Sequence, residues 1–245
     1  MCDLFALSAG EHYSAPKSLP LFAIRANKNM DGWGIGYFKN QHAFVEKSEK
    51  GVYVASHVHD GFQRLARVVR SRIIISHVRF RTSGPVDECH AHPFILKFCG
   101  HDWLFAHNGR APAVASYRTS GSRIEGAISD SARTFEYLRD RLLSYCESPP
   151  SRLFEALRQS TARLINEYPG NYNYLLTNGL TLFAFTNHRY FMMLKGSKKL
   201  EGALLLTTVE RGLSDENWVR VAKSTNKQGL LLMISGKHVI LQQAL

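Results

Sequence analysis

Residues 172–186 read Tyr-Asn-Tyr-Leu-Leu-Thr-Asn-Gly-Leu-Thr-Leu-Phe-Ala-Phe-Thr. The runs 172–177 and 181–186 are rich in aromatic and apolar side chains and predict two strands. Between them, Asn178-Gly179 is a strong signal for a tight hairpin turn, because both residue types tolerate a positive φ. The stretch therefore predicts an antiparallel hairpin, and with it a fold whose core contains sheets.

Strands and helices are predicted on both sides of this hairpin. Strand patterns occur at 3–8, 33–38, 42–46, 51–55, 72–78 and 103–107, and a closing series at 189–194, 203–208, 229–234 and 237–242. Helical periodicity covers 16–26, 60–70, 130–145 and 151–167. Strands outnumber helices, and the helices fall between groups of strands. This order predicts layers of helix packed on sheet.

The composition is typical of a globular protein. Of the 245 residues, 44% are hydrophobic and 21% charged, which excludes a disordered chain, a collagen and a coiled coil. Apolar runs fall far short of the ~20 residues that a membrane span requires. The chain does not open on the basic region of a secretory signal, and no linker or repeat divides it. We therefore expect one domain over residues 2–245, in the cytoplasm and without membrane contact.

The chain is strongly basic, with 31 Lys and Arg against 20 Asp and Glu, a net charge of +11. Such a surplus suggests acidic partners or nucleic acid. It is spread along the whole chain, however, and the densest patch is Arg64, Arg67 and Arg70. We interpret this patch as the solvated face of an amphipathic helix. Because no nucleic-acid-binding motif accompanies it, we do not predict a nucleic-acid partner.

Four cysteines are present, at positions 2, 89, 99 and 146. An even count does not imply disulfides in a chain without a signal peptide, because the cytosol keeps thiols reduced. Cys99 lies in an apolar stretch and Cys146 follows a helical pattern. Both are therefore expected to be small hydrophobic residues in or near the core. No CxxC pair is present to support a structural zinc site.

Cys2 would become the first residue if Met1 were removed. A thiol has an ordinary pKa of ~8.5, so at neutral pH it is weakly ionised and needs a base. The freed α-amine of Cys2, with a reference pKa of ~7.7–8.0, would lie beside the sulfur and could accept its proton. A cysteine at position 2 taken alone is also compatible with chance.

Two polar segments follow the predicted strand at 72–78. Arg79 ends this strand before a small polar turn, where its guanidinium could bind a carboxylate with two hydrogen bonds. In the segment Asp-Glu-Cys-His-Ala-His-Pro-Phe at 87–94, His90 and His92 could be metal ligands on a strand. Because carboxylate companions are few, a polar loop that shapes a pocket wall is the better interpretation.

Two further segments end in polar residues. The apolar strand at 103–107 leads into Asn108 and Gly109, whose side-chain amide and backbone N–H could both donate to one oxyanion. An ordinary Asn-Gly turn is the alternative. At 128–135, Asp130 could offer a carboxylate to an ammonium group at a helix start, although Ser129 or Asp130 would also serve as a normal N-cap.

These segments together resemble the class II glutamine amidotransferases, which are N-terminal-nucleophile hydrolases. The shared marks, in order, are the N-terminal Cys, His-Val-Arg-x-x-Thr-Ser-Gly, His-Pro-Phe, His-Asn-Gly and a Ser-Asp-Ser helix start. More narrowly, the chain is similar to the stand-alone, YafJ-like members, with Asp-Gly-Trp-Gly-Ile-Gly at 31–36 as a further mark. The resemblance implies an α+β fold, a four-layer αββα sandwich, in a single glutamine amidotransferase domain.

The resemblance also implies roles for the residues of the catalytic step. Cys2 would attack the γ-amide carbon of glutamine, and its α-amine would move the proton. Asn108 and Gly109 would form the oxyanion hole. The expected activity is that of a glutaminase which releases ammonia, and a separate synthase is a possible partner that would accept it. No cofactor and no metal are expected.

For the substrate head, the resemblance implies that Arg79, assisted by Thr82, binds the α-carboxylate. Asp130 would bind the α-ammonium, and His92 would support the glutamine pocket. Opposite charges on opposite sides would select the zwitterionic head of an amino acid. This selection does not distinguish glutamine from other γ-glutamyl compounds, so a γ-glutamyl hydrolase of thiol metabolism is the alternative enzyme. A non-catalytic basic binding protein is the alternative outside enzymes.

Three positions depart from the family pattern. The relatives often carry a histidine where this chain has Asn29, a small residue where it has Arg81, and a glutamate where it has Ala132. Arg81 would add a positive charge near the expected pocket. These differences leave the natural substrate open.

Overall fold

Antiparallel strands make up most of the fold. The computed structural model describes residues 2–82, 84–221 and 229–245, so Met1 and Ser83 of the sequence motifs lie outside the described residues. The strands are β1 (Asp3–Tyr13), β2 (Trp33–Lys39), β3 (His42–Ser48), β4 (Tyr53–Val54), β5 (His57–Val58), β6 (Ser71–Val78), β7 (Phe94–Phe98), β8 (His101–Asn108), β9 (Asn173–Thr177), β10 (Leu182–Thr186), β11 (Phe191–Lys195), β12 (Leu204–Thr207), β13 (Val219–Val221), β14 (Leu230–Ser235) and β15 (His238–Ala244).

Four α-helices accompany the strands among the described residues. They are α1 (Ser18–Arg25), α2 (Asp60–Val68), α3 (Asp130–Leu142) and α4 (Pro150–Glu167). Short 3-10 turns lie at Glu88–His90, Pro112–Ser116 and Leu143–Tyr145. None of these described helices combines the length and the apolar character needed to cross a bilayer.

The strands form two large sheets and a small two-stranded one. The first large sheet has the order β13-β11-β12-β1-β6-β2-β3, and the second has the order β15-β14-β10-β9-β8-β7. Neighbouring strands pair antiparallel throughout both sheets. The N-terminal strand β1 lies in the middle of the first sheet, so residues at its start are supported from both sides.

Alternating side chains of the central strands fill three layers of core. On β1, Leu4 and Ala6 pack between the sheets, while Phe5 and Leu7 point to the opposite face. This alternation follows from the two-residue period of a strand. In β8 the same rule sends its small aliphatic side chains between the sheets and its aromatic ones outward.

Helices cover the two outer faces. Helices α1 and α2 pack on the first sheet, around Phe22 and Phe62. On the second sheet lie α3 and α4, around Phe135 and Leu157. The layers therefore run helix, sheet, sheet, helix, and the predicted four-layer αββα sandwich is confirmed.

Most predicted elements are present, with bounds that shift by a few residues. The hairpin of residues 172–186 forms as β9 and β10, joined by a four-residue loop in which Asn178 Oδ1 accepts hydrogen bonds from the backbone N–H groups of Leu180 and Thr181. The predicted strand 51–55 is instead the small β4–β5 pair. Strands β7 and β13 had not been predicted.

The prediction for two of the cysteines is partly wrong. Cys99 and Cys146 form a disulfide and are not free thiols. Cys99 is partly buried and packs against the core, as predicted, whereas Cys146 is exposed. The turn at Cys99-Gly100, where both residues have a positive φ, ends β7 beside the segment that follows α3. The two Cα atoms lie 4.6 Å apart although 47 positions separate them in the sequence. Cys2 and Cys89 are free.

The basic helix α2 forms and is amphipathic, as predicted. Phe62 and Ala66 are its buried residues, whereas Val68 is exposed. Arg64 and Arg67 face solvent, and Arg70 lies beyond the helix end.

Candidate active site

Cys2 lies at one end of the two-sheet sandwich, where β1 begins and its neighbour β6 ends. Asp3 pairs with Val78, so Cys2 lies alongside the chain that leaves β6 through Arg79. The Cys2 thiol donates to the Phe80 carbonyl oxygen and accepts from the Phe80 N–H, both at 3.2 Å. Burial raises the pKa of the Cys2 thiol to about 11, so it is protonated at neutral pH and needs a base to react.

Asn108 reaches Cys2 from the second sheet. It is the last residue of β8, and its side chain points between the sheets, as do those of Leu104 and Ala106. Its Nδ2 donates to the Cys2 carbonyl oxygen at 2.5 Å. An amide nitrogen carries two hydrogens, so one N–H remains for a further acceptor.

Gly109 follows at a point where no side chain fits. A Cβ atom at this position would lie 1.9 Å from the Asn171 carbonyl oxygen and 2.7 Å from His107 Nε2. Only glycine allows these two segments to approach so closely. The Gly109 backbone therefore lies directly at the cavity beside Cys2.

A small cavity joins these elements. Its walls include six of the seven predicted site residues: Cys2, Arg79, Thr82, His92, Gly109 and Asp130. The seventh, Asn108, contacts Cys2 directly. The cavity holds about 30 Å³, which is space for little more than one water molecule.

Asp130 lies at the first turn of α3, which Ser129 caps by accepting a hydrogen bond from the Ala132 N–H at 3.2 Å. Asp130 Oδ2 accepts from the Ala111 N–H at 2.8 Å, and its Oδ1 accepts from the Ser131 N–H at 2.9 Å. These contacts fix the carboxylate at the cavity wall. Each of its oxygens retains a lone pair for another donor.

Arg79 supplies positive charge on the opposite sheet. It is 5% exposed, and its backbone is held by the loop before β2, because its N–H donates to the Gly32 carbonyl and its carbonyl accepts from the Asp31 N–H. Burial lowers the pKa of the guanidinium from its ordinary value. That value is so high that the group still carries its charge at neutral pH.

Four buried histidines, His77, His90, His92 and His107, also line the cavity. Burial lowers the pKa of His77 to about 3 and that of His92 well below its usual range, so both rings are neutral at pH 7. His92 Nδ1 accepts from the His107 backbone N–H at 3.3 Å. Within the described part of the chain, neither ring nitrogen of His77 has a hydrogen-bond partner.

His107 is held on both sides of its ring. Nε2 faces the Asn171 carbonyl oxygen at 3.1 Å, so this nitrogen carries the hydrogen. Nδ1 is then the acceptor for the Ser131 hydroxyl at 2.8 Å. This ring fixes the turn that presents Asn108 and Gly109.

The motif Asp-Gly-Trp-Gly-Ile-Gly at 31–36 allows a close crossing of the chain. A Cβ on Gly34 would lie 2.2 Å from the His92 carbonyl oxygen, and one on Gly36 would lie 3.0 Å from Pro93. The glycines of β2 therefore allow the His92–Pro93 segment to pack directly against the backbone of the first sheet. This contact sets His92 against the ring of His77, with ring centres 4.3 Å apart.

His90 and His92, which the sequence analysis considered as metal ligands on a strand, do not lie on a strand. His90 ends the 3-10 turn at 88–90, outside any strand, and both of its nitrogens have partners. Nδ1 lies 2.7 Å from Asp87 Oδ1, and Nε2 accepts from the Ile128 N–H at 3.3 Å. Over residues 2–82, 84–221 and 229–245, no group of three potential ligands is arranged to hold a metal ion.

The three departures from the family pattern have distinct environments. Asn29 is buried and its Nδ2 donates to Asp3 Oδ2 at 2.9 Å, directly behind Cys2. Arg81 is exposed and is not part of the cavity wall. Ala132 lies on the buried face of α3 and packs in the core.

Sequence reasoning missed Arg189, which lies in the connection from β10 in the second sheet to β11 in the first. Its Nη1 donates to the Cys2 carbonyl oxygen at 2.9 Å and to Asp3 Oδ1 at 3.0 Å. The residue is 187 positions from Cys2 and belongs to none of the motifs. The sequence carried no signal by which it could have been found.

Similar sequences and folds occur among known proteins. A family model described as class-II glutamine amidotransferases matches residues 1–225. A curated relative from Haemophilus influenzae, provisionally named a glutamine amidotransferase, is 28% identical over 199 residues, which are 78% of this chain and 66% of the relative. The chain thus spans slightly less than two thirds of that relative's length.

Two solved structures are similar in fold. A predicted glutamine amidotransferase from Pseudomonas aeruginosa PA01 aligns with a TM-score of 0.69 at 19% identity, over 98% of this chain and 100% of that one. The glutamine phosphoribosylpyrophosphate amidotransferase of B. subtilis, complexed with ADP and GMP, aligns with a TM-score of 0.64 at 14% identity, over 99% of this chain and 49% of that one. At these identities the likeness concerns the fold, which is of the N-terminal-nucleophile type.

Proposed function

Because the chain belongs to the class II glutamine amidotransferases, we propose that it hydrolyses the γ-amide of glutamine through a thioester on Cys2. One observation carries this proposal. A single cavity gathers a thiol, a buried guanidinium and a carboxylate from three different elements, with an amide donor at the thiol-bearing residue. These are the groups that amide hydrolysis and recognition of an amino acid require.

In the first step, the sulfur of Cys2 attacks the carbonyl carbon of the γ-amide of glutamine, and a C–S bond forms. The thiol proton moves to the α-amine of Cys2, which is free once Met1 has been removed. The oxygen of the γ-amide becomes an oxyanion and accepts hydrogen bonds from Asn108 Nδ2 and the Gly109 N–H. The C–N bond then breaks, and the leaving nitrogen takes the proton from the α-ammonium and departs as ammonia.

In the second step, water attacks the thioester carbon. A C–O bond forms, the water proton passes through the α-amine to the sulfur as the C–S bond breaks, and glutamate leaves. The same two donors stabilise this second oxyanion. Because the thiol pKa is about 11, both steps depend on the amine to move the proton at neutral pH.

We assign substrate recognition to the charged groups of the cavity. Arg79, with Thr82, binds the α-carboxylate, and Asp130 binds the α-ammonium. His92 is neutral and forms part of the wall between them. These contacts involve only the amino-acid head, so a γ-glutamyl compound of thiol metabolism fits them as well as glutamine does. Hydrolysis of such a compound is the second candidate activity.

We further propose that the enzyme is a single catalytic domain over residues 2–245, located in the cytoplasm, where the Cys99–Cys146 pair would be kept reduced. The ammonia it releases would be used by a separate synthase. The basic surface does not form a nucleic-acid site in this proposal, because the arginines of α2 lie on a solvated helix face away from the cavity.

The test is a substrate assay on protein of defined N-terminus. Intact-mass spectrometry establishes whether Met1 is present, and release of ammonia and glutamate is measured with glutamine and with γ-glutamyl peptides. We expect turnover only from protein that begins at Cys2, because a retained Met1 or an N-terminal tag converts the α-amine into an amide without basicity. A C-terminal tag is expected to be harmless.

Variants of the two free cysteines provide a matched pair. Cys2→Ala should abolish turnover, and Cys89→Ser should leave it unchanged, because Cys89 is exposed and outside the cavity wall. Full turnover by protein that retains Met1 would contradict the proposed base. No turnover of any γ-glutamyl compound by correctly processed protein would instead favour a non-catalytic basic binding protein.

A further inference from the structure

Arg189 connects three acceptors at the start of β1. Besides its bonds to the Cys2 carbonyl and Asp3, its Nη2 donates to the Thr208 carbonyl oxygen at 2.7 Å. A guanidinium can serve several acceptors at once because its N–H groups are fixed in a planar fork. We propose that Arg189 is a positioning residue, which holds the backbone carbonyl of Cys2 and thereby fixes the nucleophile.

The side chain of Arg189 is supported by a polar cluster around Asp3. Asp3 Oδ1 also accepts from Thr208 Oγ1 at 3.0 Å, and its Oδ2 accepts from Asn29 Nδ2 at 2.9 Å. The Thr208 hydroxyl in turn accepts from the Leu4 N–H at 2.9 Å. With donors on both oxygens, the carboxylate keeps one orientation and holds the guanidinium in place. Asn29, which replaces the histidine common in relatives, belongs to this cluster.

The backbone of Arg189 is fixed independently, by Asn173. The Asn173 amide nitrogen donates to the Arg189 carbonyl at 2.7 Å, and its Oδ1 accepts from the Arg189 N–H at 3.1 Å. Asn173 is buried and lies opposite Asn108 in the pairing of β9 with β8. One pair of strands therefore places both groups that donate to the Cys2 carbonyl.

This arrangement answers a difficulty of the proposed mechanism, on which the inference rests. After removal of Met1, Cys2 is a chain terminus, and terminal residues are poorly ordered unless something holds them. Its carbonyl accepts from Asn108 Nδ2 and from Arg189 Nη1, so the carbonyl plane is fixed from two directions. The thiol and the α-amine are attached to the adjacent Cα and are fixed with it. A displacement of about 1 Å at a reacting group can cost about 100-fold in rate.

The experiment compares Arg189→Met with Arg189→Lys in protein that begins at Cys2. We expect Arg189→Met to lower kcat by roughly 10–100-fold while KM stays within about twofold, because Arg189 does not line the cavity. Arg189→Lys should recover part of kcat, since an ammonium can still donate to the Cys2 carbonyl but cannot reach all three acceptors.

A second variant separates the expected loss of kcat from a loss of folding. Removing Arg189 alone leaves the Asp3 carboxylate buried without its cation, which destabilises the protein. The double variant Asp3→Asn/Arg189→Met removes both charges and should show the same loss of kcat. The matched control is Arg139→Met, which removes a buried arginine that is also paired with a carboxylate but lies away from the cavity wall, and it should keep the parent kcat.

Hydrogen exchange gives a readout that does not depend on turnover. We expect amides of residues 3–5 to exchange faster in Arg189→Met and in the double variant, and at the parent rate in Arg139→Met. An active parent together with unchanged kcat and unchanged exchange in the double variant would overturn the positioning role. A loss of kcat in the control equal to that in Arg189→Met would overturn it too. If the parent has no activity but residues 3–5 still exchange faster in Arg189→Met, the result would instead count against the proposed reaction.

Discussion

Asn108 carries two tasks on one side-chain amide. One N–H holds the Cys2 carbonyl at 2.5 Å, and the other is assigned to the oxyanion. We expect Asn108→Ala to lower kcat by ~10²–10³-fold with little change in KM, because the lost donor acts mainly on charge that develops during the reaction. Steady-state kinetics with glutamine measures both constants.

The control for Asn108 is Asn178→Ala, which removes an asparagine from the loop between β9 and β10, outside the cavity wall. It should keep the parent kinetics. A large rise in KM with kcat intact in Asn108→Ala would move Asn108 from the oxyanion hole to a role in substrate binding.

Arg79 and Asp130 differ from Asn108 because their charges act on the bound substrate before any bond changes. We expect Asp130→Asn and Arg79→Ala each to raise KM for glutamine by about 10–100-fold, since a charge-assisted contact contributes ~1.5–3 kcal/mol. Alkylation of Cys2 by a small reagent should proceed as in the parent. A variant with parent KM would show that its residue does not bind the substrate head.

Among the elements, the disulfide between Cys99 and Cys146 joins the turn after β7 to the segment after α3. Closing a loop across 47 positions lowers the entropy of the unfolded chain, and the bond should contribute about 3–4 kcal/mol. We expect Cys146→Ser to lower the free energy of unfolding by that amount in oxidising buffer, measured by urea denaturation.

Reducing agent and a second cysteine variant complete this test. In reducing buffer the parent and Cys146→Ser should become equally stable, and Cys89→Ser should match the parent in both buffers, because Cys89 is a free, exposed thiol. Equal stability of the parent and Cys146→Ser under oxidising conditions would contradict the contribution of the disulfide.

At the scale of the whole molecule, three of the buried histidines, His77, His92 and His107, couple folding to pH. The pKa of each is lowered, mainly by burial, and that of His77 lies at about 3. In the unfolded chain a histidine has a pKa of ~6.5 and binds a proton below it, while the folded protein keeps these rings neutral. The folded state is therefore favoured in full above pH ~6.5 and loses stability as the pH falls towards the folded-state values.

The slope of the free energy of unfolding against pH follows from the number of protons that the unfolded chain binds in excess of the folded protein. A histidine that stays neutral in the folded protein contributes up to ~1.4 kcal/mol per pH unit once its unfolded form is protonated. With a folded-state pKa of about 3, His77 makes this contribution between pH ~6 and ~4.5, and His92 and His107 act in the same direction. Urea denaturation across this range measures the slope. His77→Leu should reduce the slope by up to ~1.4 kcal/mol per pH unit, and His12→Gln, at an exposed histidine, is the control. A parent slope that persists in His77→Leu would contradict the assignment.

The same variant tests the unpartnered nitrogens of His77. A buried polar atom without a hydrogen bond costs about 1–3 kcal/mol, and leucine removes two such atoms. His77→Leu should therefore be at least as stable as the parent at pH 7. Both the pH dependence and the stability expected for His77→Leu depend on how the two sheets pack around the His77 ring.

Much of this molecule followed from local sequence. Alternation of apolar side chains predicted the start of β1, and runs of apolar and aromatic side chains predicted β6, β8 and the hairpin of β9 and β10. Pro149-Pro150 at the start of α4 and Pro169-Gly170 after it mark the ends of that helix in the same local way. The sequence also placed a thiol, a guanidinium and a carboxylate at the ends of such elements, where side chains become available for chemistry.

The sequence did not predict β13 and β7, for two different reasons. Strand β13 has only three residues, too few for a periodic pattern. Strand β7 contains Phe-Ile-Leu-Lys-Phe, a run that alone does not separate a strand from an apolar stretch in another conformation. Its pairing with β8 decided the conformation.

Only the tertiary structure revealed the contacts that join distant parts of the chain. The Cys99–Cys146 bond and the hydrogen bond from Arg189 to Cys2 span 47 and 187 positions, and no local pattern marks either pair. The pKa of His77 likewise depends on neighbours contributed by both sheets. Local residues determine an element and its buried face, whereas a contact between elements depends on how the layers pack, and that packing is fixed by the summed burial of the whole core.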